Sequence, residues 1–171
     1  MTCLEGTVRM KRVFGAALVV SALAIAALSP SIRSVAQPRQ PAFVHAAPVN
    51  PVTVEKGKTT VVTLKITIDK GYHLQGANAK DPYVPTSVTA TLPPGVSLGK
   101  ISYPPSVKKE FTGETLPVYE TKIDIKVPLI GGDSMSPGKS SIHFVVNYQG
   151  CNTTSCYPPT KLDIPSTLFI K

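Results

Sequence analysis

The run Thr59 to Ile68 (TTVVTLKITI) alternates without a break. Val62, Leu64, Ile66 and Ile68 fall on one parity, and Val61, Thr63, Lys65 and Thr67 on the other. Successive side chains of a strand point to opposite faces, so a period of two with one apolar parity predicts a half-buried strand. Asp69-Lys70-Gly71 closes it as a turn. The same texture returns at Thr86 to Leu92, Val96 to Tyr103, Val118 to Leu129, Ser140 to Gln149 and Lys161 to Ile170, the last interrupted by Pro165. Within the third of these, Ile123, Ile125, Val127 and Leu129 share a face. Pro-Pro, Pro-Gly and Gly-Gly pairs stand between the runs, and no segment carries a 3.6-residue period. About seven short strands separated by turn signals predict an all-β chain, an immunoglobulin-like β-sandwich. The usual staple of such domains is missing. There is no Trp, and Cys151 and Cys156 are too close in sequence to bridge two sheets.

The N-terminus reads as an export signal. Lys11 and Arg12 follow Met10, a second start beside Met1, and Val13 to Leu28 is apolar. Ser34-Val35-Ala36 then offers small residues for cleavage before Gln37. The sixteen-residue apolar run falls short of the about 20 residues of a bilayer span, so an uncleaved anchor is the alternative. The expected organisation is a signal peptide over residues 1–36, a flexible Pro- and Ala-rich lead-in over 37–50, and one domain over 51–171. Cleavage would leave a periplasmic or otherwise exported protein with no stable membrane insertion, because no later apolar run approaches 18 residues. The net charge of +8 becomes +5 without the leader, carried by scattered lysines. Nucleic-acid binding uses clustered Arg and Lys with interleaved aromatics, and that pattern is absent.

Chemistry concentrates in Tyr148 to Pro159 (YQGCNTTSCYPP). Four small or polar residues, Asn152 to Ser155, separate Cys151 from Cys156. Such a loop bonds its own backbone and can bring two Cα atoms to the roughly 4.4–6.8 Å of a disulfide. In an oxidising compartment the pair is expected to be joined. A structural bond is one reading, although closing so small a loop contributes only about 2 kcal/mol. Metal binding fits poorly. His45, His73, His143 and Met135 are the other soft or borderline ligands, and no His follows Cys151 as a blue-copper site requires. None of the three His lies within seven positions of a Cys, against the tight spacings of zinc sites. A redox-active dithiol needs an accessible sulfur and a second thiol close by, which this loop provides without any cofactor.

Three segments together resemble the N-terminal periplasmic domain of the thiol:disulfide interchange protein DsbD. They are YQGCNTTSCYPP itself, GYHLQGANAKDPYVPTSVT (Gly71 to Thr89) and KKEFTGETLPVYET (Lys108 to Thr121). The resemblance spans roughly Pro51 to Lys171 and implies an immunoglobulin-like sandwich. It also implies protein-disulfide reductase-type exchange through Cys151 and Cys156, with thioredoxin-like or membrane thiol-transport proteins as partners. In the family a cap shields the disulfide with an aromatic ring. By position that ring is Phe111, flanked by Glu110 and Gly113. Lys109 stands where the family can carry an acid, and a cation there would favour a thiolate. His73 and Tyr157 are candidates for tuning the pair. A satisfied histidine near a turn is the alternative for His73, core or rim packing is the alternative for Tyr157, and packing is the expectation for Tyr119. The family's membrane and thioredoxin-like domains are not expected after Lys171, so electrons are expected from a separate protein, or the module is reused. The competing function is a non-catalytic immunoglobulin-like interaction module with a structural disulfide.

Overall fold

The computed structural model describes residues 41–171; the leader expected over residues 1–36 lies outside the described residues. Those described residues form twelve strands in three four-stranded sheets and no helix. The first sheet takes β3 (Thr59–Ile68) as its long element, flanked by β1 (Val44–Ala46) and by β9 (Lys122–Gly131), with β6 (Val96–Leu98) beyond β9. The second runs β2 (Val52–Val54), β12 (Thr160–Ile170), β10 (Gly138–Tyr148) and β5 (Ser87–Thr91). Both are antiparallel except for the parallel pairing of β12 with β2.

Burial alternates along β3 as its sequence demands, with Val62, Leu64, Ile66 and Ile68 inside. Ile125, Val127 and Leu129 of β9 meet Ile142, Phe144 and Val146 of β10 and Leu168 of β12 in one core. Fully burying each such side chain stabilises by about 1.5–3 kcal/mol. Two sheets closed on a shared apolar layer make the expected immunoglobulin-like sandwich.

The third sheet has the order β11 (Gly150–Cys151), β4 (His73–Gln75), β8 (Glu114–Tyr119) and β7 (Val107–Phe111). It carries a small apolar cluster of its own: Phe111, Leu116 and Val118, with Tyr83 and Cys156 packed against it. The sequence patterning did not predict this sheet. Its strands are two to six residues long, too short to display a period.

Three expectations are corrected. The run Val118 to Leu129 is divided between β8 and β9, because Thr121 adopts a positive φ of 62° that ends the ladder. Pro165 does not interrupt β12, where it pairs with His143. β2 meets β12 only at Leu168–Ile170, so β12 has no second strand paired to it at Pro165, a position where a residue without an N–H is tolerated. The lead-in expected to be flexible over 37–50 is ordered from Phe43 onward. Phe43 is buried, β1 pairs with Ile66–Ile68, and the Ser166 hydroxyl donates to the carbonyls of Val49 and Asn50.

Candidate functional site: a disulfide beneath a hairpin

β10 ends at Tyr148, and Gln149 carries the chain from the second sheet into the third. There Gly150 and Cys151 pair with Leu74 and His73 of β4. Position 150 has room only for glycine: a Cβ would lie 2.3 Å from Cζ and 2.5 Å from Cε2 of Phe43. The loop that follows is organised by one side chain. Oδ1 of Asn152 accepts from the backbone N–H groups of Thr154 and Ser155, each at 2.8 Å, and from the Thr154 hydroxyl at 3.1 Å. Backbone bonds from Asn152 to Ser155 (2.9 Å) and from Tyr157 to Gly150 (2.8 Å) close a tight hairpin. Cys156 is thereby set opposite Cys151, and the two form a disulfide with Cα atoms 3.9 Å apart. This is slightly less than the expected range, because the cysteines face each other at a narrow, non-hydrogen-bonded position of an antiparallel pair.

The two halves of the bond differ in exposure. Cys151 is 0% exposed, whereas Cys156 is half-buried. Behind Cys151 stand two polar residues that are also completely buried, His73 and Gln75. Nε2 of Gln75 donates to Sγ of Cys151 at 3.4 Å. Oε1 of Gln75 and both ring nitrogens of His73 have no partner among the described residues. Burial holds the His73 pKa below its ordinary value, the Lys109 charge pushes it the same way, and Glu120 opposes them. The ring is therefore neutral near pH 7.

The segment expected to cap the disulfide is a β-hairpin of β7 and β8. Thr112 and Gly113 form its tip with φ of 49° and 86°, the two consecutive positive values of a tight hairpin turn. Phe111, the last residue of β7, is buried outside the main core, in the cluster that touches Cys156. Its ring meets the His73 ring edge-on, with centroids 5.9 Å apart. Glu110 is exposed and accepts the Thr115 hydroxyl across the hairpin. Lys109 is ion-paired with Glu120. Tyr157 lies on the opposite side of the loop, in an aromatic group with Phe43 and Tyr72, and its hydroxyl accepts from Asn152 Nδ2. Tyr119 is buried in the main core, where its hydroxyl accepts from the Ala77 N–H.

Cys151, Cys156, His73 and Phe111 thus converge, and Gly113 is at the tip of the hairpin that carries Phe111. Glu110 and Lys109 belong to the same hairpin, and Tyr157 follows Cys156. His45 and His143 are remote surface residues facing Asp69 and Asp163. His73 differs from a satisfied turn histidine in having neither nitrogen bonded. Sequence reasoning missed Gln75, Asn152 as the loop's organiser, and Phe43. Gln75 was within reach, since it lies two positions from His73 and shares its face in any strand.

A half-exposed disulfide on a short hairpin, backed by buried polar groups and roofed by a second hairpin, defines an immunoglobulin-like module built around a reducible bond. The chain belongs to the family described as "Thiol:disulfide interchange protein DsbD, N-terminal", which matches residues 40–167, and it is a thiol:disulfide interchange module of that family. Among solved structures it is similar to the N-terminal domain of DsbD from Neisseria meningitidis in the reduced form. The identity is 19%, the coverage 64% of this chain and 82% of that chain, and the TM-score 0.43. The N-terminal periplasmic domain of ScsB from Proteus mirabilis matches at 13% identity over 72% of this chain and 44% of that chain, with a TM-score of 0.49. A complex between the DsbD and PilB N-terminal domains from Neisseria meningitidis matches at 19% identity over 61% and 73%, with a TM-score of 0.43. No curated protein sequence matches the chain.

Proposed function

We propose that Cys151 and Cys156 are the redox-active pair of an exported module that exchanges electrons with thioredoxin-like and membrane thiol-transport proteins. The unequal burial of the two cysteines carries the reading. Exchange requires a thiolate to approach a sulfur in line with the bond it breaks, so the accessible sulfur is the target. A partner thiolate attacks Sγ of Cys156. The bond between Cys156 and Cys151 breaks, and Cys151 leaves as a thiolate while Cys156 enters a mixed disulfide. The partner's second thiol, deprotonated, then attacks its own sulfur in that mixed disulfide and releases Cys156. Two electrons have moved to the module, which holds two thiols once Cys151 and Cys156 take up protons. The partner keeps a disulfide.

Phe111 covers this approach, with Glu110 and Gly113 belonging to the hairpin that carries it. The export leader, cleaved before Gln37, belongs to the same proposal. It is supported by the charged and apolar pattern of residues 10–36 and by a disulfide, a bond that oxidising compartments favour.

Trapping tests the direction of attack. Cys151→Ser leaves Cys156 free and should accumulate a mixed disulfide, seen on non-reducing gels, with a thioredoxin variant that keeps only its attacking cysteine and carries it as a mixed disulfide with an aromatic thiol, which leaves as the thiolate. Cys156→Ser should accumulate little. The reverse pattern would place the attack at Cys151, and the absence of any adduct with either variant would remove the exchange function.

A further inference from the structure

Buried polar side chains among the described residues are few: His73, Gln75 and Thr86. Thr86 is satisfied, its hydroxyl donating to the Gln75 carbonyl. The other two stand beside the buried half of the disulfide. His73 is directly across the ladder from Cys151, and Gln75, two residues along β4, shares its face. The carboxamide N–H of Gln75 already reaches Cys151 Sγ at 3.4 Å, while its Oε1 is unbonded. An unsatisfied buried polar atom loses its hydration without return, so placing three of them together in a small domain calls for a reason. A neutral disulfide supplies none, since sulfur in a disulfide is only a weak acceptor.

We infer that Gln75 is a catalytic donor of the exchange step, its Nε2–H group holding the negative charge on Cys151 Sγ as that sulfur leaves. The inference rests on attack at Cys156, as proposed above. When the partner thiolate bonds to Cys156, the electron pair of the broken S–S bond goes to Cys151. The resulting thiolate lies where exposure is 0% and water cannot solvate it. The donor already in place meets this charge without rearrangement, as preorganised donors do wherever charge develops in a closed site. A hydrogen bond to the charged form lowers the pKa of the leaving thiol, and a thiol of lower pKa leaves faster. His73 beside it is neutral, so no imidazolium cation shares with Gln75 in holding the thiolate. The charged groups nearest His73 are Lys109 and Glu120, which pair with each other.

Two variants of the full chain test this. Gln75→Leu and Gln75→Met both remove the donor, and Met keeps more of the length of the side chain. Reduction by dithiothreitol is followed for each, and thiolate absorbance is titrated in a Cys156→Ser background, where Cys151 is the only thiol of the described domain. Gln75→Leu should reduce about tenfold more slowly, the loss of one hydrogen bond to a charged group. Its Cys151 thiolate titration should move about one pH unit upward. Gln75→Met should be slowed to a similar extent, whereas a purely structural glutamine would be replaced by Met with little change in rate. Unchanged rate and titration in folded Gln75→Leu would overturn the inference. If that variant does not fold, reduction of Gln75→Met at the wild-type rate would overturn it equally. Dithiothreitol needs no protein partner. Failure to exchange with dithiol proteins therefore breaks the interchange reading alone, and equal dithiothreitol rates break only this one.

Discussion

Between the first and second sheets, the most deeply buried side chains are Leu64, Ile66, Ile125, Leu129, Ile142, Phe144 and Leu168, all hydrocarbon. Under the hairpin of the third sheet, the buried side chains facing the disulfide include His73 and Gln75, with three polar atoms unbonded. Both regions exclude water, but to different ends. The sandwich removes apolar surface and gains stability roughly in proportion to the area buried. The small sheet gives up some of that gain to hold polar groups in a dry place, where they act strongly on a charge that is present only during reaction. Its own apolar support is three residues, Phe111, Leu116 and Val118. The hairpin over the site therefore rests on the smaller apolar cluster, while Leu74 and Tyr119 tie the same sheet to the main core.

Truncation is the most forceful way to break this contrast. Phe144→Ala in the sandwich should cost about 3–5 kcal/mol, read as a shift of the urea unfolding midpoint. A loss below about 1 kcal/mol would mean that the sandwich is not where the stability lies.

Gly150→Ala probes the seam between the regions. The added methyl would sit 2.3 Å from Phe43, which must shift, and overpacking of this kind costs about 1–3 kcal/mol. Adding Phe43→Leu should recover part of that loss in a double-mutant cycle. Strict additivity would show that the close approach is not what restricts position 150.

Phe111→Ala separates shielding from packing. Because its cluster is small and apart from the main core, the stability loss should be less than that of Phe144→Ala, and reduction by dithiothreitol should quicken as the path to Cys156 opens. A stability loss as large as that of Phe144→Ala, without faster reduction, would make Phe111 an ordinary core residue.

The smallest effect is a pH dependence assigned to His73. Its folded pKa is lowered from 6.5, chiefly by burial and then by Lys109, with Glu120 opposing. The unfolded chain therefore binds the proton more readily, and stability falls as pH drops through 6.5 toward the folded value. Thermal unfolding at stepped pH in wild type and His73→Phe checks this. The variant should show a flatter profile over that window, and identical profiles would mean that His73 is not a buried neutral ring.

The long strands were legible because each is ten or so residues of unbroken alternation, enough for the period to stand out. The cysteine hairpin was legible from its small polar loop, although Asn152 as the residue that ties it together was not singled out. The cap was placed by resemblance to a family and not by periodicity, since the five residues of β7 carry no clear pattern. The mistaken flexible lead-in shows the limit of composition. A Pro- and Ala-rich stretch reads as a linker unless its one Phe has somewhere to go, and Phe43 has the space above Gly150.

What the sequence determined by itself is what depends on neighbours along the chain: the alternation that makes β3, β9 and β10, the turn at Asp69 to Gly71, and two thiols close enough to join. What tertiary structure alone decided is which of those thiols meets solvent and what stands behind the other. Cys151, His73, Gln75 and Phe111 come from three separate stretches of sequence, brought together by the pairing of β11 with β4 and of β4 with β8. Whether a side chain in such a group is solvated or dry depends on what covers it from elsewhere in the chain, and local spacing does not encode that.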